Sequence, residues 1–302
     1  MRRFNLIEIH EQSWFPEKLR EAVTDILQTL LNFAGYVVIV APLLRRVLRE
    51  TGSHYVVDLC AGGGGPWLPL ATFLKAEVLS IRLTDKFPNS AARERLRAVP
   101  DLPIEYLGQS IDAEHVPRGL PGFRTLFNCF HHFEPDRAMA ILRNAAEQGE
   151  GLAVFEIARR SFTAICATCM MAVGTFLLVP FVRPFRLSLV LWTYLIPVLP
   201  IIMWLDGIVS CLRAYTPSEL LQLARNSVPS AYEWQVGMMT GHLFPLTVTY
   251  LIGSPRPQGG RDAKIEKSRV TSHALQFAAS ERKVTPSPRE AHEKVTVVRE
   301  LE

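Results

Sequence analysis

This chain of 302 residues has little net charge. Its 33 Lys and Arg face 29 Asp and Glu, a formal net charge of +4, too weak a field to argue for a nucleic-acid partner. Part of that surplus lies at the end, where residues 256–302 carry ten basic and seven acidic side chains. Cysteine is scarce as well. Cys60, Cys129, Cys166, Cys169 and Cys211 are odd in number and lack framework spacing, which argues against a disulfide scaffold and for reduced thiols in a cytosolic compartment. Cys166 and Cys169 form a CxxC, but no second pair and no nearby histidine supports a metal or redox use. They read as two small residues in a buried helix, and no metal site is expected. The opening MRRFNLIEIHEQSW has no apolar stretch beside its basic pair, so a secretory signal is not expected. There is no internal repeat.

Apolar residues are abundant, at 48% with a mean hydropathy of +0.14. The length suits one large α/β domain or two small ones. The hydropathy is high for a purely soluble protein, so membrane contact has to be considered. Residues 14–50 read as helices, with Asp25 as a cap and an uncharged stretch from Ile26 to Leu44. Strands are then expected at His54–Leu59, Glu77–Leu83, Ile104–Leu107, Thr125–Phe130 and Leu152–Ile157, alternating with helices at Trp67–Leu74, Ser90–Val99 and Asp136–Gln148. That alternation predicts a doubly wound, mostly parallel sheet. Thr216-Pro217-Ser218-Glu219 opens another helix with a cap residue, a proline and a glutamate in the favoured order. Tyr232–Met238 and Leu246–Ile252 predict a closing antiparallel hairpin joined by Thr240–Pro245. After it the chain turns polar, and 254–302 is expected to be a disordered tail.

Chemistry concentrates at Val56-Val57-Asp58-Leu59-Cys60-Ala61-Gly62-Gly63-Gly64-Gly65-Pro66, where an apolar strand ends in an acid, a glycine run and a helix. Glycines allow positive φ and let a ligand lie against bare backbone, and the helix that follows offers free N–H groups. A phosphate-cradling P-loop needs Gly-Lys-Ser/Thr, which Gly65-Pro66-Trp67 lacks. A dinucleotide site wants GxGxxG for a pyrophosphate, and an acid just before the glycines would repel one. The same carboxylate can pair with a cationic amino-acid group, which favours the methionine end of S-adenosylmethionine.

The loop resembles motif I of class I S-adenosylmethionine-dependent methyltransferases, with Cys60 where many members have the first glycine. The resemblance covers roughly 14–160 and 207–253. It implies a seven-stranded α/β fold and a cofactor site of Asp58, Cys60, Ala61, Gly62, Gly63 and Gly64. To these it adds Asp85 with Lys86 for the ribose hydroxyls, Ile111 and Asp112 on the adenine side, and Asn128 after the fourth strand. LFNCFHHFEP resembles the family's motif IV region with its HH pair, and Glu156 stands at the family's usual fifth-strand position. Methyl transfer is an in-line displacement with a neutral leaving group, so the enzyme mainly aligns and dries the reactants. A base is needed only where the acceptor must lose a proton. The catalytic candidates are His131, His132 and Glu156. Asn128-Cys129-Phe130-His131 replaces the Asn/Asp-Pro-Pro-Tyr motif typical of methyltransferases acting on planar amino groups, which weakens a nucleobase substrate.

Between strand five and Thr216 the pattern breaks. Ser161–Val182 and Leu187–Leu205 are uncharged runs of 22 and 19 residues, separated by Arg183 and Arg186. About 20 apolar residues cross a membrane, and a re-entering hairpin would put both arginines at its tip. Such a tip, if external, opposes the positive-inside trend, and Pro197 and Pro200 would kink the second helix. A shallow insertion avoids both difficulties; the other possibility is an apolar lid packed on the domain. The expected division is N-terminal helices at 1–50, a cofactor domain at 51–160 and 207–253, and an apolar helical insertion at 161–206. The expected function is methyl transfer to a small, hydrophobic or lipid-like acceptor at the cytoplasmic face of a membrane, or in the cytoplasm if the insertion is a lid. The alternatives are a membrane-associated nucleoside-binding protein without turnover and an NAD-dependent oxidoreductase.

Overall fold

A computed structural model describes residues 2–228, 232–241 and 246–256. The last strand runs to Pro255, two residues into the expected disordered tail, and from 257 on that tail lies outside the described residues, as does most of the turn between the last two strands. In chain order the elements begin with α1 (Glu17–Phe33), α2 (Tyr36–Glu50), β1 (Tyr55–Leu59), α3 (Trp67–Leu74) and β2 (Ser80–Asp85). Then follow α4 (Ser90–Arg97), β3 (Ile104–Ser110), β4 (Phe123–Phe127), α5 (Pro135–Glu147) and β5 (Leu152–Glu156). The helices α6 (Phe162–Ala167), α7 (Cys169–Leu178), α8 (Leu187–Val190), α9 (Val198–Arg213) and α10 (Pro217–Ser227) precede β6 (Tyr232–Thr240) and β7 (Thr247–Pro255). Local chemistry sets several of these ends. Asn89 accepts a hydrogen bond from the Ala92 amide to start α4. Thr216 and Glu219 close a reciprocal capping box on α10, and Pro135 opens α5 where its missing N–H costs nothing.

The strands form one seven-stranded sheet in the order β3-β2-β1-β4-β5-β7-β6, parallel except for the β5–β7 and β6–β7 pairs. This is the doubly wound sheet with a closing hairpin that the alternation predicts. β4 and β5 are buried along their whole length, as parallel strands covered on both faces must be. One core packs α2, α3 and α4 on the first face, around Tyr36, Leu44, Trp67 and Leu70. The other packs α5 and α10 on the second face, around Leu126, Phe130, Ile141 and Leu220. The winding direction reverses between β1 and β4, so a crevice opens at their carboxyl ends.

β2 runs Ser80–Asp85 rather than from Glu77 to Leu83, and three further expectations are corrected. β4 stops at Phe127, three residues early, because Asn128 takes φ +53° and turns the chain out of the sheet. β3 instead runs on to Ser110 through a register shift opposite β2. Asp25 caps nothing: α1 begins after Pro16, and Asp25 lies buried within the helix, bound to Arg95 and Arg186.

The apolar insertion folds into helices that pack on α1 and share with it a third core of Ile26, Val179, Val182, Leu199 and Met203. Phe162–Phe181 is a continuous helical stretch of 20 residues with a mean hydropathy of 2.1, long and apolar enough to cross a membrane, and only 17% of its most apolar window is buried. The segments Leu187–Leu195 and Val198–Arg213 meet at 76°, with Pro197 at the break. Pro200 lies in the first turn of α9, where its missing N–H leaves no gap. Cys166 and Cys169 are exposed rather than buried, because the helices turn an apolar face outward instead of inward. α9 runs through Asp206 without a break, since that carboxylate accepts the amides of Ile9 and His10. Arg186 does not sit at a free tip: it is paired to Glu21 and Asp25 of α1 at 3.1 and 2.5 Å.

Candidate functional site

The carboxyl edge of the sheet carries two differently built halves. On the β1 side, register places Asp58 opposite Thr125, and the Thr125 hydroxyl donates to Asp58 Oδ1 at 2.6 Å. Asp58 is 1% exposed and lies beneath the glycine turn rather than on its open face. Burial above all, with neighbouring Asp85 adding to it, pushes its carboxyl up to about 8, against the help of the Thr125 hydrogen bond. The turn starts at Cys60, whose φ of +60° is the left-handed conformation that glycine adopts more cheaply. Gly64 follows at φ +107°, which an L side chain rarely adopts. Gly63 has no room for a Cβ, which would come within 2.9 Å of the Thr24 methyl on α1. Gln28 of α1 donates to the Gly65 carbonyl at 2.5 Å, so α1 clamps the turn from outside.

Asp85, at the end of β2, accepts the Gly62 amide on Oδ2 and the Phe87 amide on Oδ1, both at 2.8 Å. It fixes the turn and still has lone pairs for a further donor. Tyr106 from β3 donates to the Gly62 carbonyl at 2.9 Å, and the Ala61 amide donates to the Thr84 carbonyl. Lys86 pairs with Asp112 at 2.8 Å, and the Glu114 amide donates to Asp112 as well. Burial would raise the Asp112 carboxyl, but these two partners hold it below its ordinary value. Ile111 is buried in the second core, and its amide is spent on the Asp85 carbonyl. Asp58, Cys60–Gly64 and Asp85 thus come together around one turn, with Lys86 and Asp112 linked beside it.

On the β4 side, Asn128 is the second non-glycine residue with positive φ, and its Oδ1 accepts the Ile157 amide at 2.9 Å. Cys129 lies next to Cys60, with its Sγ 3.9 Å from the Leu59 carbonyl. Glu156 is buried. It accepts the Phe130 amide at 2.6 Å and His131 Nδ1 at 2.5 Å, so both of its oxygens hold the turn that carries the histidines. His131 is 4% exposed. Burial opposes its charge, yet Glu156 and Glu8 raise it to about 10. His132 Nδ1 lies 2.6 Å from Glu11.

Sequence reasoning missed the partners of this histidine pair. Glu8, His10 and Glu11 belong to the N-terminal segment, and Asp206, Ser210 and Arg213 belong to α9. Glu8 is buried, within 3.5 Å of His131 Nε2 and 3.7 Å of His132 Nδ1. His131, His132 and His10, with Arg213 near by, hold the Glu8 carboxyl down at about 2 despite its burial. Arg213 pairs with Glu11 at 2.7 Å, and Asp206 holds His10 at 2.8 Å. Arg3 donates to the carbonyls of His131, Phe133 and Arg213. The N-terminal segment therefore lies across the carboxyl ends of β4 and β5. The polar run Glu8-Ile9-His10-Glu11 was its only sequence signal.

No protein-family model and no curated protein sequence matches the chain. Solved structures do. The plantazolicin methyltransferase BpumL in complex with SAH aligns over 82% of this chain and 94% of its own, with a TM-score of 0.56 and 10% identity. The same protein with a triazolic desmethylPZN analog and SAH aligns over 80% and 100%, at TM-score 0.51 and 10% identity. Its complex with the pentazolic analog and SAH gives 80% and 100%, at 0.51 and 9%. The chain has the class I methyltransferase fold. At these identities the likeness is one of architecture.

Proposed function

We propose that this protein transfers a methyl group from S-adenosylmethionine to a small, apolar acceptor at the cytoplasmic face of a membrane. The observation that carries the reading is the glycine turn: Asp58 beneath it, Asp85 gripping Gly62, and Asp112 beside Lys86, in the order and at the strand ends where the fold binds its cofactor. The structural neighbours named above were solved with SAH. In this reading Asp85 and Lys86 face the ribose, Asp112 faces the adenine, and the Cys60–Gly64 backbone faces the methionine end.

The histidine side positions rather than deprotonates. Glu156 spends both oxygens on the turn, His131 is enclosed, and His132 is paired with Glu11. The transfer then relies on alignment and exclusion of water, and the acceptor atom needs little help in losing a proton. The apolar preference follows from the outer face of the insertion, where Phe162, Leu177, Phe181, Leu187 and Leu195 are exposed beside the domain. Exposed apolar patches of this kind mark membrane or partner contacts. The Arg186 pairs to α1 favour a shallow insertion over a crossing hairpin.

Calorimetric titration with S-adenosylhomocysteine should show one site per chain, and titration with NAD none. Absence of heat with S-adenosylhomocysteine would sink the methyltransferase reading. In flotation with phosphatidylcholine–phosphatidylglycerol vesicles the full chain should rise with the lipid. Full recovery in the detergent-free, salt-washed soluble fraction would remove the membrane part alone.

A further inference from the structure

We propose that Glu8, His131 and His132 form a binding site for a divalent transition-metal ion, which ties the N-terminal segment to the carboxyl edge of β4. The proposal is independent of the cofactor reading. One ligand atom from each residue lies within 4.8 Å of the other two. Glu8 Oε1 is 3.5 Å from His131 Nε2 and 3.7 Å from His132 Nδ1. Around a tetrahedral ion with bonds of about 2.1 Å, neighbouring ligand atoms sit roughly 3.4 Å apart, so a small inward movement encloses an ion.

The surroundings are those of a metal ligand set. His131 Nδ1 donates to Glu156, which leaves Nε2 facing Glu8, the carboxylate–histidine–metal arrangement that fixes tautomer and ring orientation. That Nε2 is buried and has no hydrogen-bond partner. Ser210 Oγ donates to Glu8 Oε1 at 2.9 Å and orients the carboxylate. Glu8, Glu156 and Asp206 are buried close together with Glu11 at their edge, and a cation held between Glu8 and the two imidazoles would offset part of that negative charge, as Arg213 does from its own side. Glu11 Oε1, 2.6 Å from His132 Nδ1, lies close enough to supply the fourth position. Two imidazoles and a carboxylate suit zinc-, cobalt- or iron-like ions rather than magnesium or calcium.

The test uses the full chain, stripped with chelator and desalted, and titrated with zinc chloride by calorimetry and with cobalt chloride by visible absorption. One equivalent per chain is expected, with cobalt bands of nitrogen and oxygen ligation that zinc erases. Glu8→Gln and His132→Gln should each weaken binding more than about 100-fold, and Ser210→Ala, which acts through Glu8, by about 10-fold. Exposed His115, outside the cluster, serves as the control: His115→Gln should change nothing. Circular dichroism verifies that each variant is folded. Wild-type protein that is folded yet takes up no stoichiometric zinc or cobalt would overturn the site, whatever the variants do. So would binding that both ligand variants retain. S-adenosylhomocysteine binding, measured on the same metal-free sample, reads the other half of the edge separately.

Discussion

The two halves of the carboxyl edge are built from different materials. The β1–β2 half is made of backbone: a glycine turn whose amides and carbonyls are held by Asp85, Tyr106 and Gln28. The β4–β5 half is made of side chains that arrive from far along the chain, Glu8 from one end and Asp206, Ser210 and Arg213 from α9. A backbone cradle suits a ligand whose shape is fixed. A side-chain cluster under a strap of chain can be remodelled to suit an acceptor or an ion without disturbing the sheet.

The sharpest way to test that division is to remove the link that holds the histidine turn. Glu156→Ala leaves the Phe130 amide and His131 buried without their acceptor. Removing one member of a buried charged pair costs about 3–5 kcal/mol, so urea unfolding should show a loss of that size. A loss below about 1 kcal/mol would mean that the turn is held by Arg3 and Arg213 and not from β5. Next in size is Asp85→Ala, which frees the Gly62 and Phe87 amides. It should weaken S-adenosylhomocysteine binding by about 1–3 kcal/mol, the cost of unmade hydrogen bonds to buried groups, read by calorimetry. Unchanged affinity would move the ribose contact away from β2.

The same division explains what could be read without coordinates. The glycine turn was legible because its parts are contiguous: strand, acid, glycines and helix lie between Val56 and Leu74, and Asp85 follows one strand later. The doubly wound, mostly parallel character of the sheet followed from the alternation of apolar strands and amphipathic helices, whereas the strand order came only with the fold. The histidine cluster was not legible, because nothing local distinguishes Glu8 or Ser210 from surface residues; only the fold brings them to His131. Asp25 misled for a related reason. A short acid before an apolar run looks like a cap, and its real partners, Arg95 and Arg186, lie 70 and 161 positions away. The two apolar runs were visible as composition, but their folding back onto α1 rests on long-range contacts of the same kind, the core shared with Ile26 and the Arg186 pair to Asp25.

At Asp58 the effect is read as a slope with pH rather than as a single loss. Burial raises its carboxyl to about 8 in the folded protein, against about 3.9 in an unfolded chain. Between those values the folded state keeps a proton that the unfolded state has lost. This share of stability is therefore complete below about pH 4 and gone above about pH 8, falling by at most about 1.4 kcal/mol per pH unit between them. Chemical unfolding at several pH values in this window should show a flatter profile for Asp58→Asn than for the wild type. Parallel profiles would mean that Asp58 is ionised in the folded state and is met by a cation even before the cofactor arrives.

The smallest effect sets the two halves directly against each other, because each contains one residue forced into the left-handed region. Cys60 has φ +60° and Asn128 has φ +53°, and glycine relieves that strain at either place, less the entropy that glycine gives back to the unfolded chain. What differs is the side chain lost. Cys60 contributes a thiol beside Cys129, a weak partner, so Cys60→Gly should stabilise the fold by up to about 1 kcal/mol. Asn128 tolerates the left-handed region better than most residues, and its Oδ1 accepts the Ile157 amide at 2.9 Å. Asn128→Gly therefore gains little from relief and loses a hydrogen bond worth about 0.5–1.5 kcal/mol, a net destabilisation. Opposite signs in parallel urea titrations are expected. Equal signs would show that backbone strain, and not the contrast between a backbone-built and a side-chain-built half, governs both sides of the crevice.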